Sequence, residues 1–101
     1  MQRNMRVMLV CALFAIILGF ILDIDFKDWC FILICIGIVL ALETMNTAIE
    51  AFVDLVQPNQ HPIAGKIKDL SAGAVFIFCI MAFICGLLIF GKYILDLLSF
   101  T

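Results

Sequence analysis

The sequence predicts an all-α integral-membrane fold, three transmembrane helices packed as a helical bundle, and three observations carry that prediction. Hydrophobic residues fill 66% of the 101 positions and charged residues 14%, an apolar content above that of ordinary soluble domains. The apolar positions gather into three runs, of which the first, Met5 to Leu22, has about the ~20 residues a helix needs to cross a hydrocarbon core. Polar chemistry interrupts them mainly in one stretch, Leu42 to Asp69. The whole chain, 1–101, reads as a single membrane domain.

The first span is expected at about residues 5–22, flanked by Arg3 and Arg6 before it and Asp23 after it. A cleaved signal peptide would end in a small-x-small site, and Gly19-Phe20-Ile21-Leu22-Asp23 offers none, so the helix should be retained and the mature chain should begin near Met1. Asp23 to Asp28 reads as an extramembrane turn, followed by Trp29 at a position suited to the interface. The second span is placed at about 29–56, and a loop at about 57–65 is bracketed by Pro58 and Pro62. A third helix begins near Ile63 or Lys66 and carries the span at about 66–98, whose tail from Gly91 looks interfacial. Ser71, Ala72, Gly73 and Ala74 would let it approach Ala48 and Ala51 closely, bringing Lys68 and Asp69 toward Asn46, Glu50 and Asp54.

On the second helix Glu43, Asn46, Glu50 and Asp54 fall within roughly 80° of one another, forming one polar stripe. Every residue from Cys30 to Leu42 is apolar or glycine, which places Glu43 about 20 Å along the helix, inside a core ~30 Å thick. An acidic residue at such a depth costs roughly 2.5 to 3.5 kcal/mol against lipid, so Glu43 should face protein, water or a metal. Plainer readings fit some of the neighbours. Lys66 can snorkel at an interface, His61 can be an ordinary loop residue, and Asn46 can bond between helices. Two carboxylates, Glu43 and Glu50, at and above the interface are harder to explain structurally.

Other function classes find no support. A net charge of -2 provides no basic patch for nucleic acid. The five cysteines, at 11, 30, 35, 79 and 85, lie in apolar runs with neither disulfide-framework nor zinc spacing, and read as small hydrophobes. Gly65-Lys66 lacks the Walker spacing and is followed by Ile67, no G-x-G-x-x-G occurs, and no Ser-His-Asp arrangement is legible. Phosphate chemistry would have to come from helix-borne carboxylates, a metal and lysine. Arg3, Arg6, Lys66 and Lys68 fall on one side against Lys27 and Lys92 on the other, so the N-terminus and the 57–65 loop are expected to be cytoplasmic.

E-T-M-N-T-A-I-E at 43–50, D-L at 54–55 and H-x-x-x-G-K-I-K-D-L-S-A-G-A-V at 61–75 resemble the signature of the small prokaryotic lipid kinases that include diacylglycerol kinase and undecaprenol kinase. The E-x-x-N-x-A-x-E spacing, with a Lys-Asp pair 18 residues beyond it, is specific. The resemblance implies a homotrimer in the bacterial inner membrane that transfers the γ-phosphate of ATP to a lipid hydroxyl at the cytoplasmic face, with Mg²⁺ as cofactor. It implies Glu43 as general base with Asn46 beside it, and Glu50 as a magnesium ligand that also meets the nucleotide. Asn59, Gln60, His61, Lys68 and Asp69 would be nucleotide-binding positions, and Glu43 and Ala72 would meet the lipid substrate.

Two departures accompany the resemblance. The family's amphipathic surface helix before the first span has no counterpart in the few residues preceding position 5. Gln2 stands where the family has a glutamate that is the second metal ligand, and its neutral carbonyl oxygen predicts weaker Mg²⁺ binding. The function expected is ATP-dependent phosphorylation of diacylglycerol or undecaprenol. The alternative is a non-catalytic or degenerate kinase-like subunit, or a small ion-translocating oligomer using Glu43.

Overall fold

The structure, a computed structural model, describes residues 3–99. Three helices account for nearly all of them: α1 (Arg3–Leu22), α2 (Phe26–Val56) and α3 (Pro62–Leu98), with no strand among the described residues. Each is long and apolar enough to cross a membrane. The bundle is a narrow rod of 60 × 21 × 20 Å in which α2 packs mainly on α3 and less on α1. Its outer surface carries exposed Phe14, Phe20, Phe76 and Phe83, the inverse of a soluble fold and the surface that lipid requires. The chain is a multi-pass membrane protein.

The α1–α2 turn is tightly specified. Asp23 adopts φ 53°, the left-handed region that Asp tolerates better than most residues. Ile24 N–H donates to the Gly19 carbonyl at 3.2 Å and Asp23 N–H to the Phe20 carbonyl at 3.3 Å, the paired bonds of a Schellman C-cap. Ile24, only 4% exposed, closes over the turn. A Cβ at Gly19 would lie 2.7 and 2.9 Å from Trp29 ring atoms, so glycine is what lets the ring seat there. Trp29 also meets Phe20, with ring centroids 4.9 Å apart and planes tilted by 55°.

Two boundaries differ from the sequence expectation. α2 begins at Phe26, before the expected 29, because the Asp25 side chain accepts the Asp28 N–H at 3.0 Å and caps the helix ahead of the apolar run. α3 begins at Pro62, one residue before the earlier of the two expected starts, so the connection spans 57–61 and not 57–65. His61 Nδ1 accepts the Ile63 N–H at 3.1 Å, and Pro62 occupies the first turn, where its missing N–H costs nothing. Hydropathy marks where a helix enters lipid, whereas capping marks where it starts.

The opposite end of α3 is tied down by a polar knot. Asp28, 8% exposed, accepts from the Tyr93 hydroxyl at 2.6 Å and from Lys92 Nζ at 3.0 Å through one oxygen, Oδ2. The Tyr93 hydroxyl in turn accepts the Asp25 N–H at 2.9 Å. With both ends fixed, α3 is held antiparallel to α2 along the whole polar stripe.

Candidate functional site

The site is built on one face of α2 and the face of α3 opposite it. Glu43 and Asn46 are 3% and 6% exposed, although both lie among residues that lipid would otherwise surround. The neighbouring threonines are satisfied within the helix: Thr44 and Thr47 hydroxyls donate to the Leu40 and Glu43 carbonyls at 2.8 and 3.0 Å. Asn46 differs. Its buried Oδ1 has no hydrogen-bond partner among the described residues, a condition that costs ~1 to 3 kcal/mol unless a ligand or water meets it.

On α3, Lys68, Val75 and Cys79 recur at seven and four residues, which keeps them on one face. Val75 is buried, and Cys79 lies within charge-interaction range of Glu43. At the other end of the strip Lys68 Nζ forms an ion pair and hydrogen bond with Asp54 Oδ1. Glu43 and Asp54 are 11 residues apart, as are Lys68 and Cys79, so the two antiparallel helices stay in step over about 16 Å. The result is a strip with a buried carboxylate at its deep end and a lysine at its open end.

The remaining sequence-expected residues distribute as follows. Glu50 is half-buried, one turn beyond Asn46 and one turn short of Asp54 on the same face of α2. Ala72 is exposed one turn beyond Lys68, while Asp69 is exposed about 100° round α3 from it. Asn59 and Gln60 are exposed in the 57–61 connection, and exposed His61 caps α3. An apolar groove beside this connection is formed by Phe52, Val56, Ile63 and Ile67, with Gln57 and His61 at its rim. Gln2 lies outside the described residues. The strip thus joins Glu43, Asn46 and Glu50 with Lys68, and leaves Asp69, Ala72 and the connection at its edge.

Two features of the strip are sharper in the structure than in the sequence. The sequence brings Lys68 toward Asn46, Glu50 and Asp54 together, and the structure pairs it with Asp54. Cys79, which reads as a small hydrophobe, is half-buried on the α3 face that carries Lys68. The equal 11-residue intervals on α2 and α3 were the available signal, visible only once the helices are known to run antiparallel.

The donor set suits a hard cation of a particular kind. Glu50, Glu43 and Asn46 offer carboxylate and amide oxygens, and the orphaned Asn46 Oδ1 leaves one of them available. No three His, Cys, Asp or Glu side chains converge among the described residues. Mg²⁺ is commonly held by one or two carboxylates with water and substrate phosphates, and Glu50 fits that role. Chemically, the ammonium of Lys68 suits an anion and the carboxylate of Glu43 suits a hydroxyl proton.

Known proteins resemble this chain over most of its length. The prokaryotic diacylglycerol kinase family pattern matches residues 1–90. Undecaprenol kinase of Bacillus subtilis (strain 168) is 40% identical over 89 residues, 88% of this chain and 72% of that protein. Diacylglycerol kinase of Helicobacter pylori (strain ATCC 700392 / 26695) is 34% identical over 96 residues, 95% of this chain and 72% of its own length. Diacylglycerol kinase of Escherichia coli (strain K12) is 33% identical over 75 residues, 74% of this chain and 62% of that enzyme. With its three-helix membrane bundle, its buried Glu43 and Asn46 and the match over residues 1–90, the chain belongs to the prokaryotic diacylglycerol kinase family of membrane lipid kinases.

Proposed function

We propose that the protein transfers the γ-phosphate of ATP to the hydroxyl of a membrane lipid alcohol, either diacylglycerol or undecaprenol. The observation that carries this reading is the strip itself: a carboxylate 3% exposed at lipid depth, about 16 Å along the helix from a lysine at the open end. Glu43 takes the proton from the lipid hydroxyl, and Asn46, one turn along, orients the acceptor through its unpartnered Oδ1. Glu50 would hold Mg²⁺, which when bound neutralises phosphate charge. Lys68 binds the phosphate chain, and Asp69, Asn59, Gln60 and His61 contact the rest of the nucleotide at the edge of the strip. Ala72 lines the lipid approach.

The same proposal places the protein as a homotrimer in the bacterial inner membrane, with the 57–61 connection cytoplasmic. Supporting that orientation, Arg3, Arg6, Lys66 and Lys68 outnumber Lys27 and Lys92 at the opposite ends of the spans. The direct test is transfer of labelled phosphate from ATP to diacylglycerol and to undecaprenol by purified protein in mixed micelles, with and without Mg²⁺. Metal-dependent labelling of one lipid, lost in Glu43→Gln and Lys68→Met, is the expected result. Labelling of neither lipid at saturating ATP and Mg²⁺ would overturn it.

A further inference from the structure

We propose that Asp54 is a positioning residue for the nucleotide, holding the Lys68 ammonium over the α2 strip before the polyphosphate arrives; this rests on the lipid-kinase reading above. The two side chains meet across the α2–α3 crossing, Nζ to Oδ1, fourteen residues apart in the chain. Their exposures are unequal: the Lys68 side chain is 35% exposed and that of Asp54 61%. The carboxylate thus sits at the outer margin while the lysine lies over the strip.

An exposed ion pair of this kind contributes little to stability, so folding does not explain the arrangement. Ligand binding does. A lysine stem has four rotatable bonds, and ordering such a side chain is part of the cost of any complex it enters. Asp54 orders it in advance. The ammonium has three N–H donors and Asp54 engages one, which leaves two for phosphate oxygens. Asp54 also stands one turn beyond Glu50 on the same face, so a phosphate chain seated on Lys68 lies alongside the carboxylate proposed to carry Mg²⁺. The negative charge of Asp54 opposes the incoming phosphate, and its exposure to water moderates that opposition.

The test measures equilibrium binding of trinitrophenyl-ATP with Mg²⁺, together with kcat and the KM values for ATP and lipid. Asp54→Asn and Asp54→Glu are compared in the native and Lys68→Met backgrounds. Asp54→Asn is expected to weaken nucleotide binding and raise KM for ATP about fivefold to tenfold, with KM for lipid and thermal stability unchanged. Asp54→Glu should recover most of that loss, and in Lys68→Met the Asp54→Asn change should add nothing. Equal losses in both backgrounds, or nucleotide binding in Asp54→Asn as tight as native, would overturn the proposal. If Lys68→Met alone bound nucleotide like the native protein, the nucleotide reading of Lys68 would fall and this role with it. Impaired Lys68→Met beside unimpaired Asp54→Asn refutes only the role of Asp54.

Discussion

Replacing Glu43 by glutamine separates catalysis from folding more cleanly than any other substitution in the strip. The side chain is 3% exposed, and glutamine matches its shape, so packing is preserved and a buried charge is removed, a change that does not need to destabilise. Glu43 also stands 11 residues, about 16 Å along α2, from Asp54, well outside contact distance of the Asp54–Lys68 pair. Nucleotide affinity should therefore change by no more than about twofold. The chemical step is another matter, since general-base catalysis contributes ~100-fold to 10,000-fold, equivalent to roughly 3 to 5 kcal/mol of barrier. The assay is phosphoryl transfer from labelled ATP to lipid in micelles, paired with nucleotide binding and thermal unfolding of the same preparation. Glu43→Gln retaining more than about a tenth of native kcat would refute the general-base role. A kcat loss accompanied by equally weakened nucleotide binding would instead show that the two ends of the strip are not independent.

Tyr93→Phe removes the hydroxyl that donates to Asp28 and accepts from Asp25, and should lower the thermal midpoint by roughly 5 °C while leaving KM for ATP unchanged; an unchanged midpoint would show that the knot does not secure α3. Single cysteines at Asn59 and Asp25, in a background without the native five, should react with an impermeant thiol reagent in intact cells at position 25 and not at 59. The reverse pattern would sink the proposed topology and the access of ATP together. Gln2→Glu should lower the Mg²⁺ concentration for half-maximal nucleotide binding, and that gain should vanish when combined with Glu50→Gln; a gain of the same size in both backgrounds would mean that the two positions do not share an ion.

The three helices were legible because their apolar runs carry almost no polar residues on any face, unlike the amphipathic helices of soluble folds, and the stripe because Glu43, Asn46 and Glu50 recur at helical spacing at the end of one of them. Helix starts were less legible. Asp25 and His61 act through side-chain bonds to N–H groups two or three residues on, and a hydropathy reading has no term for a cap. Pairings across helices were the hardest. That Lys68 meets Asp54, and that Asp28 gathers Lys92 and Tyr93 from more than sixty residues away, depends on the register of α2 against α3. The small residues at 71–74 suggest close approach without fixing register.

The lengths of the helices explain why donor and acceptor groups can share one face. With the Asp28 knot marking one polar boundary, Glu43 lies 17 residues from Phe26, about 26 Å along α2 and within a ~30 Å hydrocarbon core. Asn46 falls near the opposite boundary at about 30 Å, Glu50 at about 36 Å, and Asp54 at about 42 Å, well into the aqueous side. Each turn of α2 therefore advances the strip from lipid toward water, and α3 carries Lys68 to the watery end of the same gradient. On the lipid-kinase proposal, a charged phosphate donor would bind at Lys68 without entering hydrocarbon, and an apolar alcohol would present its hydroxyl at Glu43 without leaving it. The reaction would then occur between Glu43 and Glu50, at the boundary itself, where neither reactant bears the full cost of desolvation. A helix ending at the membrane surface could hold only half of that gradient, so the proposal gives the extension of α2 to Val56 a part in the chemistry as well as in the fold.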